Sequence, residues 1–549
     1  MRRSWRIAAI ALFSLALVSG GLLGDRLLAL TDETRDTLQT YTELVNLAHE
    51  RYGADVSYRD LIYSSIDGMV RTMDPHTSFL PPDAYEGMRE RQQSTYYGLG
   101  ILVGVRNGQL TVISPIEGTP GERLGIQAGD VISQIEGEPT ETMTLDEAVG
   151  KLKGPKGTQV RITLIRRGLE KPLDMAVTRA EIPQTTVRQA YMLTPDTGYV
   201  LVTEFSRGTG REVADAVDKL QKLGMKQLLL DLRNNGGGLL DPSIEVSEQF
   251  LPEGTTVVET RGRIRDSDQA FKASGRYPVT DIPVVVLVNE GTASASEIVA
   301  GALQDHDRGL VVGEPSWGKG LVQSVYNLSY GAGLALTTAK YYTPSGRLIQ
   351  RPYRDYYDYY THADAGSPEI TGKQVPESEI FHTDLGRKVY GGGGITPDVV
   401  VKDDAVTAFQ QFLLLRNAFG QFAVDYHRRN PPASLDWKPG DEVVNEFRDW
   451  LVQEQIATAK ELDESLTDPA NREYALRQIR AEVLNGSFGQ EARHRVLAQG
   501  NKQISTALGL FNRAADLQAQ RRAMDQKEDR ADLGNKRQPK VSTETQPKG

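Results

Sequence analysis

The feature that most constrains the fold is an alternation of apolar runs and amphipathic segments between residues 198 and 345. The apolar runs include "GYVLVTEF", "KQLLLDL" and "IPVVVLV", and "REVADAVDKLQKLG", between the first two, carries a single apolar stripe. A run as apolar as "VVVLV" suits a strand that is buried on both faces, and strands that alternate with helices form βαβ units. This part of the sequence therefore predicts a sheet with helices on its faces.

The segment from residue 96 to residue 168 changes to short strands and turns. Its β-type runs are "LGILVGV", "QLTVISPI", "DVISQIEG" and "VRITLIRRG", with "TLDEAVGKLKG" as a helix between the last two. Together with "YGLGILV", the stretch "SPIEGTPGERLGIQAGDVISQIEG" resembles a PDZ domain. The resemblance implies a peptide-binding loop at Gly98, Leu99, Gly100 and Ile101. The two glycines would let backbone N–H groups turn toward a terminal carboxylate, and the next strand would offer an open edge to a peptide.

Composition and charge exclude several other classes of protein. At 549 residues the chain is too long for one hydrophobic core, so several domains are expected. The net charge is -10 and the sequence has no long basic face, which argues against a nucleic-acid partner. The absence of cysteine excludes disulfides, thiol catalysis and Cys-ligated zinc. No histidine lies in a recognisable metal-ligand pair, and neither a metal nor an organic cofactor is expected.

The two ends of the sequence differ from its middle. "MRRSWR" followed by "IAAIALFSLALVSGGLLG" has the basic and apolar regions of a signal peptide or membrane anchor within residues 1–29. This predicts export to the periplasm or another extracytoplasmic space. Residues 7–24 would anchor the chain in the inner membrane if the segment is not cleaved, and both fates stay open.

Further segments are assigned from periodicity and composition. Apolar spacings of three and four predict helices within residues 30–95 and again over residues 406–520. The tyrosine-rich residues 353–389 are expected to form an inserted loop, for which the sequence gives no function. The charged residues 521–549 are expected to be disordered.

Three small hydroxyl residues, Thr292, Ser294 and Ser296, stand in "EGTASASEIVAGALQD" at the predicted start of a helix. A serine is a weak nucleophile unless a neighbouring group takes its proton. The nearest histidine is His306, but in a helix that begins at Ser294 it would lie about 18 Å away, at about 1.5 Å of rise per residue. We therefore interpret His306 as a residue at the helix C-terminus, where a cation interacts favourably with the dipole.

Lys319, in "GEPSWGKGLVQS", is the alternative proton acceptor. An amine acts as a base only when it is neutral, so its pKa must fall by roughly 3 units from ~10.4, which burial in an apolar site can supply. Gly318 and Gly320 flank the lysine and would let the chain bring it close to the start of the helix. Taken alone, a lysine between two glycines is more often a surface residue.

"SASEIVAGALQD" and "GEPSWGKGLVQS" closely resemble the carboxyl-terminal processing peptidases, or tail-specific proteases, a family of PDZ-containing serine proteases with a Ser-Lys dyad. The resemblance implies that Ser294 is the nucleophile and that Lys319, 25 residues further on, is the general base. It also implies that Gln323 orients the lysine. "DLRNNGGG" resembles the family's oxyanion loop, so the backbone N–H groups of Gly238 and Ala295 would hold the developing negative charge. "DPHTSFL", "YYTPSGRLIQ" and "GGGGITPDVVV" match further family segments.

The sequence thus predicts a multidomain α+β/α/β protein with a PDZ domain at residues 96–170 before a βαβ-type protease core at residues 171–405. The expected function is that of an exported serine endopeptidase whose PDZ domain recognises the C-terminal tails of protein or peptide substrates. An adaptor or activator protein and self-association through the C-terminal helices are both left open as further partners.

Three alternatives remain at this point. The chain could be an inactive PDZ scaffold, although a dead enzyme has no chemical need to keep Ser294, Lys319, Gln323 and the glycine run. It could be a Ser-His-Asp protease, against which the βαβ pattern and the position of His306 argue. If the helix register were shifted, Ser296 would be the nucleophile. Otherwise Ser296 is expected to cap the helix N–H groups, and Thr292 to lie in the preceding turn.

Overall fold

A computed structural model describes residues 32–106, 108–166, 168–353, 359 and 376–536, the last nine of these by their backbone alone. The predicted signal or anchor segment, most of the tyrosine-rich insertion and the final residues lie outside the described part of the chain. The described residues form two compact units: residues 32–83 with 325–336, and residues 84–324 with those from 337 to 536. None of the helices among the described residues is long and apolar enough to cross a membrane.

The first unit contains two helices and a short strand, namely α1 (Asp32–Arg51), α2 (Tyr58–Arg71) and β1 (Ser78–Leu80). Ser57 begins α2, because its side chain accepts a hydrogen bond from Asp60 N. The helix is followed by a turn in which one carboxylate oxygen of Asp74 accepts the N–H groups of both His76 and Thr77 at 2.8 Å. This side-chain turn is the reason that the chain leaves the helix and enters β1, which pairs antiparallel with residues 333–335.

The second unit begins with a helix, a strand and the PDZ domain. Its first elements are α3 (Pro82–Gln93), β2 (Thr95–Gly98), β3 (Ile101–Arg106), β4 (Gln109–Pro115), α4 (Pro120–Arg123), β5 (Val131–Ile135), β6 (Glu138–Pro139), α5 (Leu145–Leu152), β7 (Gln159–Ile165), β8 (Leu173–Thr178) and β9 (Ala180–Pro183). The PDZ sheet has the order β3-β4-β5-β7-β8, and β2 pairs with β9 outside it. Since β8 belongs to this sheet, the domain continues to Thr178, past the boundary predicted at residue 170.

The protease core follows, with a six-stranded main sheet. Its elements are β10 (Val187–Met192), β11 (Thr197–Val202), α6 (Thr209–Lys222), β12 (Gln227–Asp231), α7 (Leu240–Ser247), β13 (Thr256–Gly262), β14 (Gln269–Lys272), β15 (Val284–Val288), α8 (Ala295–Asp305), β16 (Leu310–Gly313), β17 (Leu321–Asn327), β18 (Gly333–Tyr342), β19 (Ile380–His382), β20 (Lys388–Tyr390) and β21 (Val399–Val400). The main sheet has the order β10-β11-β12-β15-β16-β21, parallel except for β10.

Both faces of this sheet are covered, as the apolar runs predicted. Along β12, Leu228 and Leu230 pack with α6, α7 and α8, whereas Leu229 faces the opposite side. The same alternation continues along β15, where every residue is fully buried. Because successive side chains of a strand point to opposite faces, a strand that is covered twice must be apolar throughout. The expectation of a PDZ domain before a βαβ-type core is thus confirmed.

Helices from the C-terminal region cover the second face of the main sheet. This region comprises α9 (Ala408–Leu415), α10 (Ala418–Arg429), α11 (Asp441–Gln453), α12 (Ala459–Leu466), α13 (Pro469–Gln499), α14 (Lys502–Leu508) and α15 (Phe511–Lys536). Ile504, Ala507 and Phe511 pack against Leu229 and Val285 of the sheet. The earlier helices form a core of their own around Phe422 and Phe447. The C-terminal helices are therefore part of the folded catalytic unit.

The predicted disorder from residue 521 onward differs from the structure, in which α15 continues to Lys536. Residues 521–536 are mostly Arg, Ala, Met, Gln, Lys, Glu and Asp, and most of these types favour a helix. Arg521 also pairs with Asp525 one turn further on, at 3.0 Å. The sequence contains no proline between Arg521 and Pro539, so no proline stops the helix at the place where the hydrophobic pattern ends.

Candidate active site

Ser294 lies immediately before α8, in a backbone conformation that side chains rarely adopt. Its φ is 56° and its ψ is -116°. Such a conformation costs of the order of 1–3 kcal/mol and persists only where the surrounding structure holds it. The carbonyl oxygen of Ser294 accepts hydrogen bonds from Glu297 N at 2.9 Å and from the Tyr341 hydroxyl at 3.0 Å. Ser294 is only half-buried, whereas all of α8 behind it is buried.

Lys319 lies two residues before β17 and is half-buried. Its Nζ donates a hydrogen bond to Gln323 Oε1 at 2.8 Å. The flanking glycines are required by close packing, since a Cβ on Gly318 would lie 2.9 Å from Gly394 N and one on Gly320 would lie 2.9 Å from Gln350 N. The lysine is thus fixed at its backbone by two other loops and at its amine by the glutamine.

A single buried carboxylate joins the serine segment to the lysine segment. Oε2 of Glu297 accepts the N–H of Ser294 at 2.7 Å and the N–H of Lys319 at 2.9 Å. Its other oxygen accepts the N–H of Gly318 at 2.7 Å and the Ser316 hydroxyl at 2.5 Å. The backbone nitrogens of Ser294 and Lys319 are therefore no further apart than two hydrogen-bond lengths. The structure brings these two predicted residues together through a third residue that the sequence reasoning missed.

The charge state of Glu297 follows from its four partners. Burial raises the pKa of this carboxyl above its ordinary value, and the hydrogen bonds from Ser316, Lys319, Ser294 and Gly318 oppose this effect only in part. Three of the partners are backbone N–H groups, which can only donate, and each carboxyl oxygen accepts at least one of them. These hydrogen bonds favour the anion.

The segment Asp231–Gly238, which we call the oxyanion loop, runs from the end of β12 to the neighbourhood of Ser294. Asn235 holds it in place: its side chain donates to Val202 O at 2.9 Å and accepts Gly237 N at 2.9 Å, while its carbonyl oxygen accepts Ala293 N at 2.9 Å. The glycine run of the loop is thereby tied to the residue that precedes Ser294.

Gly237 and Gly238 allow the oxyanion loop to approach the serine. A Cβ on Gly237 would lie 2.8 Å from Ser294 Cβ and 2.9 Å from Ala295 N, and one on Gly238 would lie 2.0 Å from Phe205 O. Within the described part of the chain, neither Gly238 N–H nor Ala295 N–H donates a hydrogen bond. Two backbone donors without a protein acceptor, beside a half-buried serine, can hold the oxyanion of a tetrahedral intermediate.

The other hydroxyl residues of the serine segment have structural partners. The Thr292 hydroxyl donates to Leu232 O at 2.8 Å, in the turn where the sequence places it. Ser296 is fully buried, and its hydroxyl donates to Asn235 O at 2.9 Å. The expectation that Ser296 caps the helix is therefore wrong, because Ser294 occupies the N-cap position and Ser296 ties the oxyanion loop to α8. A hydroxyl proton held in this way also argues against Ser296 as the nucleophile.

His306 lies at the C-terminal end of α8 and takes no part in this site. One ring nitrogen contacts Asp384 Oδ2 at 2.8 Å and the other contacts Thr256 O at 2.7 Å. A carbonyl oxygen only accepts hydrogen bonds, so Nε2 must carry a proton and is not available as a base. The Ser-His-Asp alternative has no support in this geometry.

The predicted peptide-binding loop of the PDZ domain lies between β2 and the edge strand β3. Gly98 ends β2, Ile101 begins β3, Leu99 is buried and Gly100 has a φ of 74°. The carbonyl oxygen of Gly100 accepts Ile116 N at 2.9 Å. In the sheet as described, β3 has β4 on one side only, so its other edge is open to an added strand.

Comparison with known proteins gives the class to which this arrangement belongs. The family model described as Peptidase family S41 matches residues 196–354, and a PDZ domain model matches residues 111–166. The chain is 39% identical over 321 residues to the carboxy-terminal-processing protease of Bartonella bacilliformis, covering 58% of this chain and 73% of that one.

Two further relatives extend this result. The chain is 38% identical to the carboxyl-terminal-processing protease of Synechocystis, over 64% of this chain and 86% of the relative. It is 33% identical to the carboxy-terminal processing protease CtpA of Bacillus subtilis, over 63% and 73% respectively. The fold and these matches define a PDZ-containing serine peptidase. The chain belongs to the carboxyl-terminal processing protease family, as the sequence resemblance indicated, and the inactive-scaffold alternative is disfavoured.

Proposed function

We propose that this peptidase hydrolyses peptide bonds with a dyad in which Ser294 is the nucleophile and Lys319 the general base. The observation that carries the proposal is the Glu297 carboxylate, which holds the backbone N–H groups of Ser294 and Lys319 on the same oxygen atom. A serine needs a base close by, and this bridge brings the two segments into one site. Gln323 accepts one amine hydrogen of Lys319, which limits the rotation of the amine.

The reaction follows from the roles of these groups. Ser294 Oγ attacks the scissile carbonyl carbon, and neutral Lys319 Nζ takes the hydroxyl proton. The carbonyl oxygen becomes an oxyanion, which the N–H groups of Gly238 and Ala295 stabilise. As the C–N bond breaks, Lys319 returns its proton to the leaving amine, and water, activated by the same lysine, hydrolyses the acyl-enzyme.

The dyad is tested by degradation of a disordered reporter protein with an apolar C-terminal tail. Ser294→Ala and Lys319→Ala should each abolish cleavage. Ser296→Ala should retain part of it, because Ser296 only ties the oxyanion loop to α8, and His306→Ala, which removes the nearest histidine, serves as the control. Cleavage that persists in either dyad variant, or that is abolished in His306→Ala while the fold is intact, would contradict the assignment.

We also propose that the PDZ domain recognises the free C-terminus of the substrate. The open edge of β3 and the exposed Leu102 and Val105 on this strand support the proposal, since a peptide added there gains main-chain hydrogen bonds and apolar contacts. A reporter with a free terminal carboxylate should have a lower KM than the same reporter with an amidated terminus. Equal KM values would contradict recognition of the carboxylate.

Export is proposed from the N-terminal sequence alone. The basic residues before the apolar run at 7–24 support it. Fusion of residues 1–30 to a reporter enzyme that is active only outside the bacterial cytoplasm should give activity, and removal of residues 7–24 should abolish it. A fusion that is inactive with the segment intact would contradict export.

A further inference from the structure

Arg233, at the entrance of the oxyanion loop, joins this loop to the C-terminal helices. Its Nε lies 3.0 Å and its Nη2 2.6 Å from the two oxygens of Asp231, and its backbone N–H donates to the same carboxylate at 3.0 Å. Its Nη1 donates to Asn501 Oδ1 at 3.0 Å and to Gln503 Oε1 at 2.9 Å. Two residues of the C-terminal region, about 270 positions further along the chain, therefore accept hydrogen bonds from the Arg233 side chain of the catalytic core.

This contact is well buried and specific. The Arg233 side chain is 14% exposed, that of Asp231 is 2% exposed, and Gln503 is 1% exposed. Gln503 Nε2 donates at the same time to Val401 O at 2.9 Å, which fixes the amide so that its oxygen faces the arginine. Both ends of this glutamine are thus satisfied, as expected for a buried polar group with a positioning role.

The same arginine borders a cavity that contains other carboxylates. A cavity of about 420 Å³ borders Arg233, and its walls include the carboxylates of Glu314 and Asp403. Without the amide oxygen of Gln503, a buried guanidinium N–H would lose an acceptor, which costs about 1–3 kcal/mol unless the group finds another one. Rotation of the Arg233 side chain toward Glu314 or Asp403 would supply a new acceptor but would break the ion pair with Asp231.

Such a rotation would disturb the oxyanion loop, because Arg233 and Asp231 hold its first residues together. The next residue, Asn234, has a φ of 56°, and its N–H donates to Asn289 Oδ1 at 2.8 Å. Gly237 and Gly238 follow three and four residues further along the chain. A donor in this loop is effective only at hydrogen-bond distance from the developing oxyanion, so a displacement of about 1 Å is enough to reduce kcat strongly.

We infer that Gln503 and Asn501 are positioning residues for catalysis: through Arg233 they hold the oxyanion loop in its productive conformation. The inference rests on the proposed function, since it assumes that this loop stabilises the oxyanion formed on attack by Ser294. It assigns to the C-terminal helices a part in turnover that is separate from their packing on the sheet.

The test compares Gln503→Met with Gln518→Met. Gln518 is a matched control, because it is also a buried glutamine of the C-terminal helices, but it donates to Asp281 Oδ1 at 2.7 Å, outside the oxyanion loop. Asn501 is less suitable for substitution, since its side chain also caps α14 by accepting Ile504 N at 3.0 Å. The full chain is used, with the apolar-tailed reporter as substrate, and thermal unfolding is measured beside kcat and KM.

Gln503→Met should lower kcat about 10- to 100-fold with KM within about twofold of the wild type, while Gln518→Met keeps its kcat. Gln503→Glu, which restores an oxygen acceptor for Arg233, should recover most of the loss. An unchanged kcat in Gln503→Met, or an equal loss in Gln518→Met, would overturn the inference. If Gln503→Met does not fold, Gln503→Glu decides, because it keeps the arginine contact and loses only the hydrogen bonds to Val401 O and to Glu314 Oε2. Near-wild-type kcat supports the inference, and a tenfold loss overturns it.

Ser294→Ala and Lys319→Ala are measured in the same series to separate the two hypotheses. If both dyad variants are inactive and Gln503→Met turns over normally, the proposed function stands and only the role of the C-terminal helices is refuted. If a dyad variant still cleaves the reporter, the proposed function fails and the inference fails with it.

Discussion

Glu297→Gln is the substitution that tests most directly how this site is assembled. Each carboxylate oxygen of Glu297 accepts two hydrogen bonds: Oε1 from Ser316 and Gly318, and Oε2 from Ser294 and Lys319. Glutamine offers one acceptor oxygen, and its NH₂ group would face two donors on the other side. Two donors around this buried side chain are then left without an acceptor, at about 1–3 kcal/mol each, so about 2–6 kcal/mol of stability should be lost.

The loss should be concentrated at the dyad. In either orientation of the amide, two hydrogen bonds are lost. They are either those from the N–H groups of Ser294 and Lys319 or those from Ser316 and Gly318, just before the lysine. We therefore expect kcat for the reporter to fall by at least about 100-fold, because a displacement of about 1 Å between nucleophile and base costs this much. Thermal unfolding at several denaturant concentrations gives the stability, and steady-state cleavage of the reporter gives kcat.

Glu248→Gln provides the control. Glu248 is also buried, but both of its hydrogen bonds, from the N–H and the hydroxyl of Ser274, go to a single oxygen at 2.6 Å. The amide oxygen of glutamine can occupy that position, so the cost should be smaller and kcat should not change. A Glu297→Gln enzyme that keeps kcat within about threefold of the wild type, with an intact fold, would refute the bridging role.

Three further substitutions have defined outcomes. Gly237→Ala should abolish cleavage while leaving substrate binding to the PDZ domain intact, because φ is 98° and the new Cβ would lie 2.8 Å from Ser294 Cβ; normal kcat would contradict this. Ser294→Gly should be inactive yet about 1 kcal/mol more stable than the equally inactive Ser294→Ala, because glycine adopts the φ of 56° without strain; equal unfolding midpoints would count against a strained serine. Burial lowers the pKa of His306, but its hydrogen bonds to Asp384 and to Thr256 O raise the folded-state pKa above its ordinary value of ~6.5. The protonated ring therefore stabilises the fold fully below about pH 6.5, and this stabilisation is lost as pH rises through the folded-state pKa. His306→Asn should flatten the dependence of the unfolding midpoint on pH while kcat stays unchanged. A wild-type pH profile of the unfolding midpoint in the variant would contradict this assignment.

The sequence was sufficient for the architecture and for naming the residues of the proposed dyad. The runs "LLL" and "VVVLV" predicted doubly covered strands because burial on both faces removes the alternation of polar residues. Gly318 and Gly320 indicated close packing around Lys319, and the structure shows the two loops that require them. The pairing of Ser294 with Lys319, however, came from family resemblance, since a lysine between glycines has no distinctive local pattern.

Other parts of the site depend on contacts between distant segments, which local patterns do not record. Glu297 stands three residues after Ser294, where a glutamate is typical of an ordinary capping box, and nothing in the sequence reveals that its second oxygen binds the lysine segment. Arg233 and Gln503 are 270 residues apart, and an amphipathic helix does not specify which apolar face it will cover. The role of a buried carboxylate or amide can be assigned only when its hydrogen-bond partners are known.

The strained backbone at Ser294 is held in place by several of these distant contacts. A non-glycine residue with φ of 56° and ψ of -116° would relax unless its neighbours prevented it, and relaxation would move the hydroxyl away from the position that the strain gives it. Glu297 holds the Ser294 N–H, Tyr341 holds the Ser294 carbonyl oxygen, and Asn235 holds the residue before it. Glu297 also holds Lys319, and Asn235 also holds the oxyanion loop. The contacts that maintain the strain are therefore the same ones that assemble the proposed base and oxyanion donors, so the conformation of Ser294 and the integrity of the site should be gained or lost together.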